Sequence, residues 1–455
     1  MTAQFLSTAT PSNLPFAGTR PPAADNKPRW ERAVPIYGVS VITPFFLALV
    51  GLAVLSLFLT VYREVVGLGP ASGMNDKYGW GIWKTFNVVV LTAWGSGAFA
   101  VGVVAWVFGR KRLFPLMRMA LLTSMLAYAC GLCLLGVDVG RPWNFYWVVF
   151  PWHWNLHSPM AEIAICMSIY ASIPLFLENI PPILERLWHV NVSWQPAVER
   201  VEHALHKFFP IIVAAAYLLP AMHQSSLGAL MLLAGQRVHP LWQTPFLPLL
   251  YVGAATFMSF ACVAGTTMLC CLVWKRAMDM EVLDEAARIS AWTIFGWLAI
   301  RNLDLLFRGS LFTAFHFTRY AGIFWTETFL IAYGGWLLLQ SLKTHKRQTM
   351  FVGYALSSLG GMLYRFSPTT LAYMPGPHAM YFPSAIEILI ALGFASIGIA
   401  LFLVMVKLLA ILPASNQEWR NMAAYYKARK PAISRNKYLG FFGHNELSLS
   451  DKKSH

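Results

Sequence analysis

The feature that most limits what this chain can fold into is a series of apolar runs separated by short polar or turn-rich segments. Each run is roughly 18 to 25 residues long, enough to cross ~30 Å of hydrocarbon as one helix. Barrel strands would show stretches of ~10 residues alternating in hydrophobicity, and these runs do not alternate. Of 455 residues, 57% are hydrophobic and only 12% charged, with a mean hydropathy of +0.53. A soluble chain carries about a quarter charged residues, so much of this surface is expected to face lipid. The sequence predicts an all-α polytopic membrane protein with about ten transmembrane helices.

The spans are expected at about 40–62, 84–108, 115–137, 158–179, 206–228, 246–274, 286–306, 322–341, 348–366 and 384–411. Turn chemistry marks the linkers: Gly67-Leu-Gly-Pro70, Pro181-Pro182 and Pro375-Gly-Pro377. Four segments follow: a polar tail over 1–38, a first helix bundle over 39–230, a second over 231–412 and a basic tail over 413–455. The first stretch is polar and rich in Pro, Thr and Ala, with no cleavable signal pattern, so the first span is expected to act as the insertion signal.

A net charge of +15 raises nucleic acid as a partner. The cations instead fall in tails and alternate short loops: Arg29 and Arg32, then Arg110 to Arg112, Lys275 and Arg276, Lys343 with Lys346 and Arg347, and Lys427 with Arg429. That is the orientation signal of a membrane protein, and it puts both termini in the cytoplasm. The six cysteines lie inside apolar runs, and Cys130 and Cys133 lack the further ligands a tetrahedral metal site needs.

Ionisable groups at membrane depth are costly and mark candidate functional positions. The first half supplies Asp138 and Arg141 at the end of span three, Glu162 one turn into span four, His223 late in span five, and Tyr128 deeper in span three. Carboxylate, imidazole and phenol can exchange protons with a bound molecule. The second half supplies Arg301, Asp304, Glu327, Arg365 and Glu387. Arg301 and Asp304 stand three residues apart and can pair, so this set reads as an ion-pair network closing a bundle. A haem b needs two imidazoles at matched depth. Only His223 lies clearly within a span, and neither haem nor an iron–sulfur cluster is expected in this chain.

The outer-face motifs resemble the NrfD/PsrC-type membrane subunits of respiratory complexes, above all the HybB-type subunits of nickel–iron hydrogenases. The residues that carry the likeness are Tyr78-Gly-Trp-Gly-Ile-Trp83, Val137-Asp-Val-Gly-Arg141, Asn155-Leu-His-Ser158 with Glu162, Met222-His-Gln-Ser-Ser-Leu-Gly228, Val238-His-Pro-Leu-Trp-Gln243, and Tyr381-Phe-Pro-Ser384 with Glu387. The resemblance implies two four-helix bundles with flanking helices, in a bacterial inner membrane. It also implies a periplasmic four-cluster ferredoxin-like iron–sulfur subunit, attached to its own catalytic subunits. Electrons would pass between that subunit and menaquinone or ubiquinone. In that frame His223, with Gln224 and Ser225, contacts a quinone carbonyl or exchanges its proton. Satisfaction of the histidine by a neighbouring carboxylate is the structural alternative. Glu162 and Tyr128 would move protons, or serve only as hydrogen-bonding groups, while Asp138 and Arg141 would shape the site through a salt bridge or cap.

One departure bears on proton translocation. Hydrogenase-type relatives carry a glutamate near the middle of span six, where this chain reads Cys262-Val-Ala-Gly265-Thr266-Thr267. Whether protons cross the membrane therefore stays open. Two other classes remain: a secondary transporter, for which Pro210 and Pro220 could break span five, and a passive membrane anchor.

Overall fold

A computed structural model of the chain describes residues 33–36, 40–139, 142–148, 150–155, 157–190, 195–376 and 381–413. Most of both expected tails, and Arg141, lie outside the described residues.

Ten long helical segments run through the described residues: α1 (Pro44–Val66), α2 (Ile82–Val107), α3 (Lys111–Asp138), α4 (Pro159–Leu184), α5 (Gln195–Leu232), α6 (Leu247–Val273), α7 (Met280–Phe307), α8 (Arg319–Thr344), α9 (Arg347–Phe366) and α10 (Ala385–Leu408). Eight are long and apolar enough to cross a membrane. The others are α7 and α9, whose polar residues include Arg301, Asp304 and Arg365. Both pack lengthwise on spans: α7 against α6 and α8, α9 against α8 and α6.

Burial orders the layers. The most apolar stretch of α2 is 72% buried and that of α6 is 67%, against 17% for α1. The two inner helices touch each other and join the group α2 to α5 to the group α6 to α9. On the flank, α1 packs against α10, and Ser56 occupies the space a side chain would fill at Gly393. Small residues also let α8 and α9 meet backbone to backbone, since a Cβ at Gly334 would lie 2.6 Å from the Ser357 nitrogen. The only strand pairing among the described residues joins Ala33–Val34 to Leu412–Pro413, so the two ends leave the same end of the bundle.

Three helices depart from the spans expected from sequence. Pro181 and Pro182 do not form a linker, because the helix that restarts at Pro174 continues through them and beyond the apolar span's end at Leu184 to Val190. Its interruption lies earlier, at Ile173. Span five was expected over 206–228, but α5 is a 38-residue helix that includes Pro210 and Pro220 without a break. At 1.5 Å per residue its ~57 Å far exceeds the hydrocarbon thickness. A proline costs a helix one hydrogen bond, which packed neighbours in a membrane can compensate.

By contrast, α2 is irregular. It has π turns at Thr85–Val90 and Val103–Val107, and a break at Gly95–Ser96. A Cβ at Gly95 would come within 2.7 Å of the Ala127 Cβ, so only glycine lets α2 approach α3 this closely there. Such π turns re-aim the side chains that follow them and recur at functional sites.

Candidate functional site

The irregular turn of α2 presents Thr92 and Ser96 to the bundle interior, and both are fully buried. The Thr92 hydroxyl lies 2.6 Å from the Val88 carbonyl and accepts from Gln224 Nε2 at 3.2 Å. His223 Nε2 stands 3.3 Å from the same oxygen, and its Nδ1 stands 3.4 Å from the Ile163 carbonyl of α4. The Tyr128 ring meets the His223 ring edge-on at 5.3 Å and the Tyr170 ring at 4.8 Å. Its hydroxyl is 3.4 Å from Ser96 Oγ. Four helices thus converge on one imidazole.

A fifth helix closes the group. Arg365 of α9 donates to Gln224 Oε1 at 2.7 Å, to the Val89 carbonyl at 3.3 Å and to the Tyr251 carbonyl at 2.5 Å. The bond to Gln224 fixes that amide, oxygen toward Arg365 and nitrogen toward Thr92. Sequence reasoning placed Arg365 in a separate ion-pair network. Here it belongs with His223, because the wall between α2 and α6 brings the two bundles into contact at this level.

Tyr128 is as deep as expected, whereas His223 is deeper than its expected place near the end of span five, because α5 runs on to Leu232. The two rings lie level, and both residues sit ~15 Å from the C-terminal ends of their helices by the helical rise. Glu162 is half-buried in the first turn of α4, beside the residue whose carbonyl faces His223. It makes no side-chain hydrogen bond to another described residue. Ser225 is half-buried on the same turn of α5 as His223 and Gln224.

Asp138 stands apart from the imidazole. Its carboxylate pairs with Lys84 at 2.5 Å and accepts from Trp83 Nε1 at 3.1 Å, clamping the start of α2 to the end of α3. Lys84 went unnoticed in the sequence because it sits in a short interfacial segment where a lysine is ordinary. At the same end of the bundle Glu387 accepts from the Ile82 nitrogen at 2.6 Å, the Tyr381 hydroxyl at 2.6 Å and the Gly73 nitrogen at 3.2 Å. Burial, with the Glu387 carboxylate beside it, holds the Tyr381 phenol above its ordinary pKa, so it remains the donor.

The expected pairing of Arg301 with Asp304 is replaced by two others. Arg301 donates to Glu327 of α8, while Asp304 accepts from Arg308 at 2.8 Å, one turn on. Glu327 also accepts from Trp242 Nε1 at 2.8 Å and from Ser367 Oγ at 2.8 Å. This carboxylate is therefore satisfied on both oxygens.

Several residues that carried the sequence resemblance knit these loops and helices: Trp83 with Asp138, Trp242 with Glu327, and Tyr381 with Glu387. The chain matches the family model described as "Polysulphide reductase, NrfD" over residues 70–372. It is 33% identical over 380 residues to the "Probable Ni/Fe-hydrogenase 2 b-type cytochrome subunit" of Escherichia coli, covering 83% of this chain and 94% of that one. The chain belongs to the NrfD family. A shorter match, 31% identical over 173 residues, is to the "Menaquinone reductase, integral membrane subunit" of Nitratidesulfovibrio vulgaris, covering 37% of this chain and 39% of that one.

The name of the E. coli relative speaks of a b-type cytochrome in that protein. A haem held between helices takes an axial imidazole from each side. In this NrfD-family chain His223 is the one described histidine at membrane depth, and both its ring nitrogens already face atoms of the chain. The other described histidines occupy loops, helix ends or the extended start of α5. Among the described residues these groups do not fit a bis-histidine haem.

Proposed function

We propose that this chain is the quinone-reactive membrane subunit of a respiratory oxidoreductase complex. It exchanges electrons between a periplasmic four-cluster ferredoxin-like iron–sulfur subunit, which carries the catalytic subunits, and menaquinone or ubiquinone in a bacterial inner membrane. Both termini are cytoplasmic in this reading. The relatives named for a hydrogenase and a menaquinone reductase support it. The observation that carries it is the convergence of His223, Gln224, Thr92, Tyr128 and Arg365 on one buried point at the outer half of the bundle.

Quinone reduction takes up two electrons and two protons, and each carbonyl oxygen needs a hydrogen-bond partner. His223 and Tyr128 are the groups that give or take protons at the headgroup, with Gln224 and Ser225 orienting it. Thr92 donates its only hydroxyl hydrogen to Val88, so His223 Nε2 faces an acceptor. Its Nδ1 faces a carbonyl, which is also an acceptor. An imidazole protonated on both nitrogens satisfies both. A neutral one requires Thr92 to turn its hydroxyl toward Nε2. Proton exchange at His223 is thereby coupled to rotation of the Thr92 hydroxyl. In this reading Glu162, half-buried in the first turn of α4, passes protons to the outer face.

The test is purification with attached subunits, followed by iron analysis and a quinone-reduction assay. His223→Gln should lower quinone reduction at least tenfold while electron delivery from the partner to a soluble dye is retained. Equal loss of both activities, or none, removes His223 from the site. A second reading rests on the break in α2 at Gly95–Ser96, because interrupted helices are also a transporter device. Solute uptake by vesicles holding the chain without an iron–sulfur partner would favour it.

A further inference from the structure

Among the described residues Arg63, Arg301 and Arg365 are almost wholly buried within helices, and they are treated differently: Arg63, near the end of α1, pairs with Glu64. Arg301 has a carboxylate partner in Glu327 and a surround of aromatic rings: Trp297, Phe324 and Tyr364. Arg365 has none of its surface exposed, and its hydrogen-bond partners are all neutral: one side-chain amide and two backbone carbonyls. The Tyr251 ring, 4.3 Å from its Cζ, is neutral as well. Its Nε is buried and has no partner. Among the described residues no carboxylate lies within salt-bridge distance of it.

A buried guanidinium without a counter-charge is expensive, and such charges persist where they serve a ligand. Arg365 holds Gln224 in place, and Gln224 shares the Thr92 hydroxyl with His223, whose ring meets Tyr128. An anion at the point where those side chains meet would supply the counter-charge that Arg365 lacks.

We propose that Arg365 is the anion-recognising group of the quinone site, so that the site holds an ionised headgroup in preference to a neutral one. This rests on the quinone reading and adds a charge preference to it. A quinone that receives an electron from the iron–sulfur partner ahead of its proton carries one negative charge, and a fixed cation in a low-dielectric setting stabilises that charge without reorganising. His223 and Tyr128 supply hydrogen bonds and protons, whereas Arg365, which keeps its charge, supplies only the field.

The test compares two probes of nearly the same shape: an acidic hydroxynaphthoquinone, ionised at neutral pH, and its neutral methyl ether. Binding of each to the detergent-purified complex is followed by tryptophan fluorescence. The unaltered complex should bind the ionised probe at least tenfold more tightly, and the preference should vanish in buffer acidic enough to protonate that probe. Arg365→Gln should reduce the affinity ratio at least tenfold, while Arg365→Lys keeps part of it. An unchanged ratio in Arg365→Gln, or equal weakening of both probes, overturns the proposal. If Arg365→Gln does not assemble, the acid dependence of the unaltered complex and the ratio in Arg365→Lys decide. Binding of both probes without preference overturns the anion proposal and leaves the quinone reading standing. Binding of neither overturns both.

Discussion

The Thr92 hydroxyl has one hydrogen and two neighbours that can accept it, the Val88 carbonyl and, in its neutral form, His223. Thr92→Val keeps the shape and deletes the hydroxyl, leaving Gln224 and His223 facing a methyl group. Leaving buried donors unpaired costs about 1–3 kcal/mol each. We expect quinone turnover to fall at least tenfold in Thr92→Val and to survive largely in Thr92→Ser; equal activity in both variants would rule out the hydroxyl as a switch. At Glu327 the expectation concerns stability. Glu327→Gln leaves Arg301 buried without its counter-charge, a change worth about 3–5 kcal/mol. Pairing it with Arg301→Met should restore most of the lost melting temperature in detergent, whereas additive losses would argue against a coupled pair. His239 tests linkage outside the spans. Burial lowers its pKa below the ordinary 6.5, and its Nδ1 accepts from the Leu241 nitrogen at 3.3 Å. The folded state therefore binds this proton less readily than the unfolded one. Its stabilising contribution is complete above pH 6.5 and is lost as pH falls below that value. Thermal unfolding across that window should be less pH-sensitive in His239→Gln.

At the scale of elements, sequence periodicity located the helices but not how they turn toward one another. His223, Gln224 and Tyr128 stood out because titratable or amide groups are rare within apolar runs. Thr92 and Ser96 did not, because small hydroxyls in a span usually bond to their own helix, as Ser226 does to Met222. Arg365 was visible as a charge, but its attachment to the other bundle depends on how closely α2 and α6 meet, which no single-helix pattern encodes. The same limit explains the misplaced end of span four. Pro181 and Pro182 are turn residues by local chemistry, and only the packing around them keeps the helix continuous. The α1–α10 flank makes a direct prediction. Gly393→Leu would drive a side chain into Ser56 and the Leu52 carbonyl. It should loosen α1, seen as faster proteolysis or labelling of α1 residues, with far less effect in Gly51→Leu, where no atom lies within 4 Å.

For the whole molecule, the all-helical membrane architecture was legible from run length alone, and the family from the outer-face motifs that fasten Trp83 to Asp138, Ile82 to Glu387 and Trp242 to Glu327. A haem spectrum of the purified chain bears on the fit described above. The single membrane-depth imidazole leads us to expect no stoichiometric haem b signal from the chain, and such a signal would require ligands beyond the described residues. The short ladder between Ala33–Val34 and Leu412–Pro413 also has a practical meaning. Reporters fused before the first helix and after the last would emerge side by side, so a membrane-impermeant reagent should reach both or neither. The imidazole cluster lies toward the other end of the bundle, so an affinity handle on either terminus leaves its surface free for a docked protein.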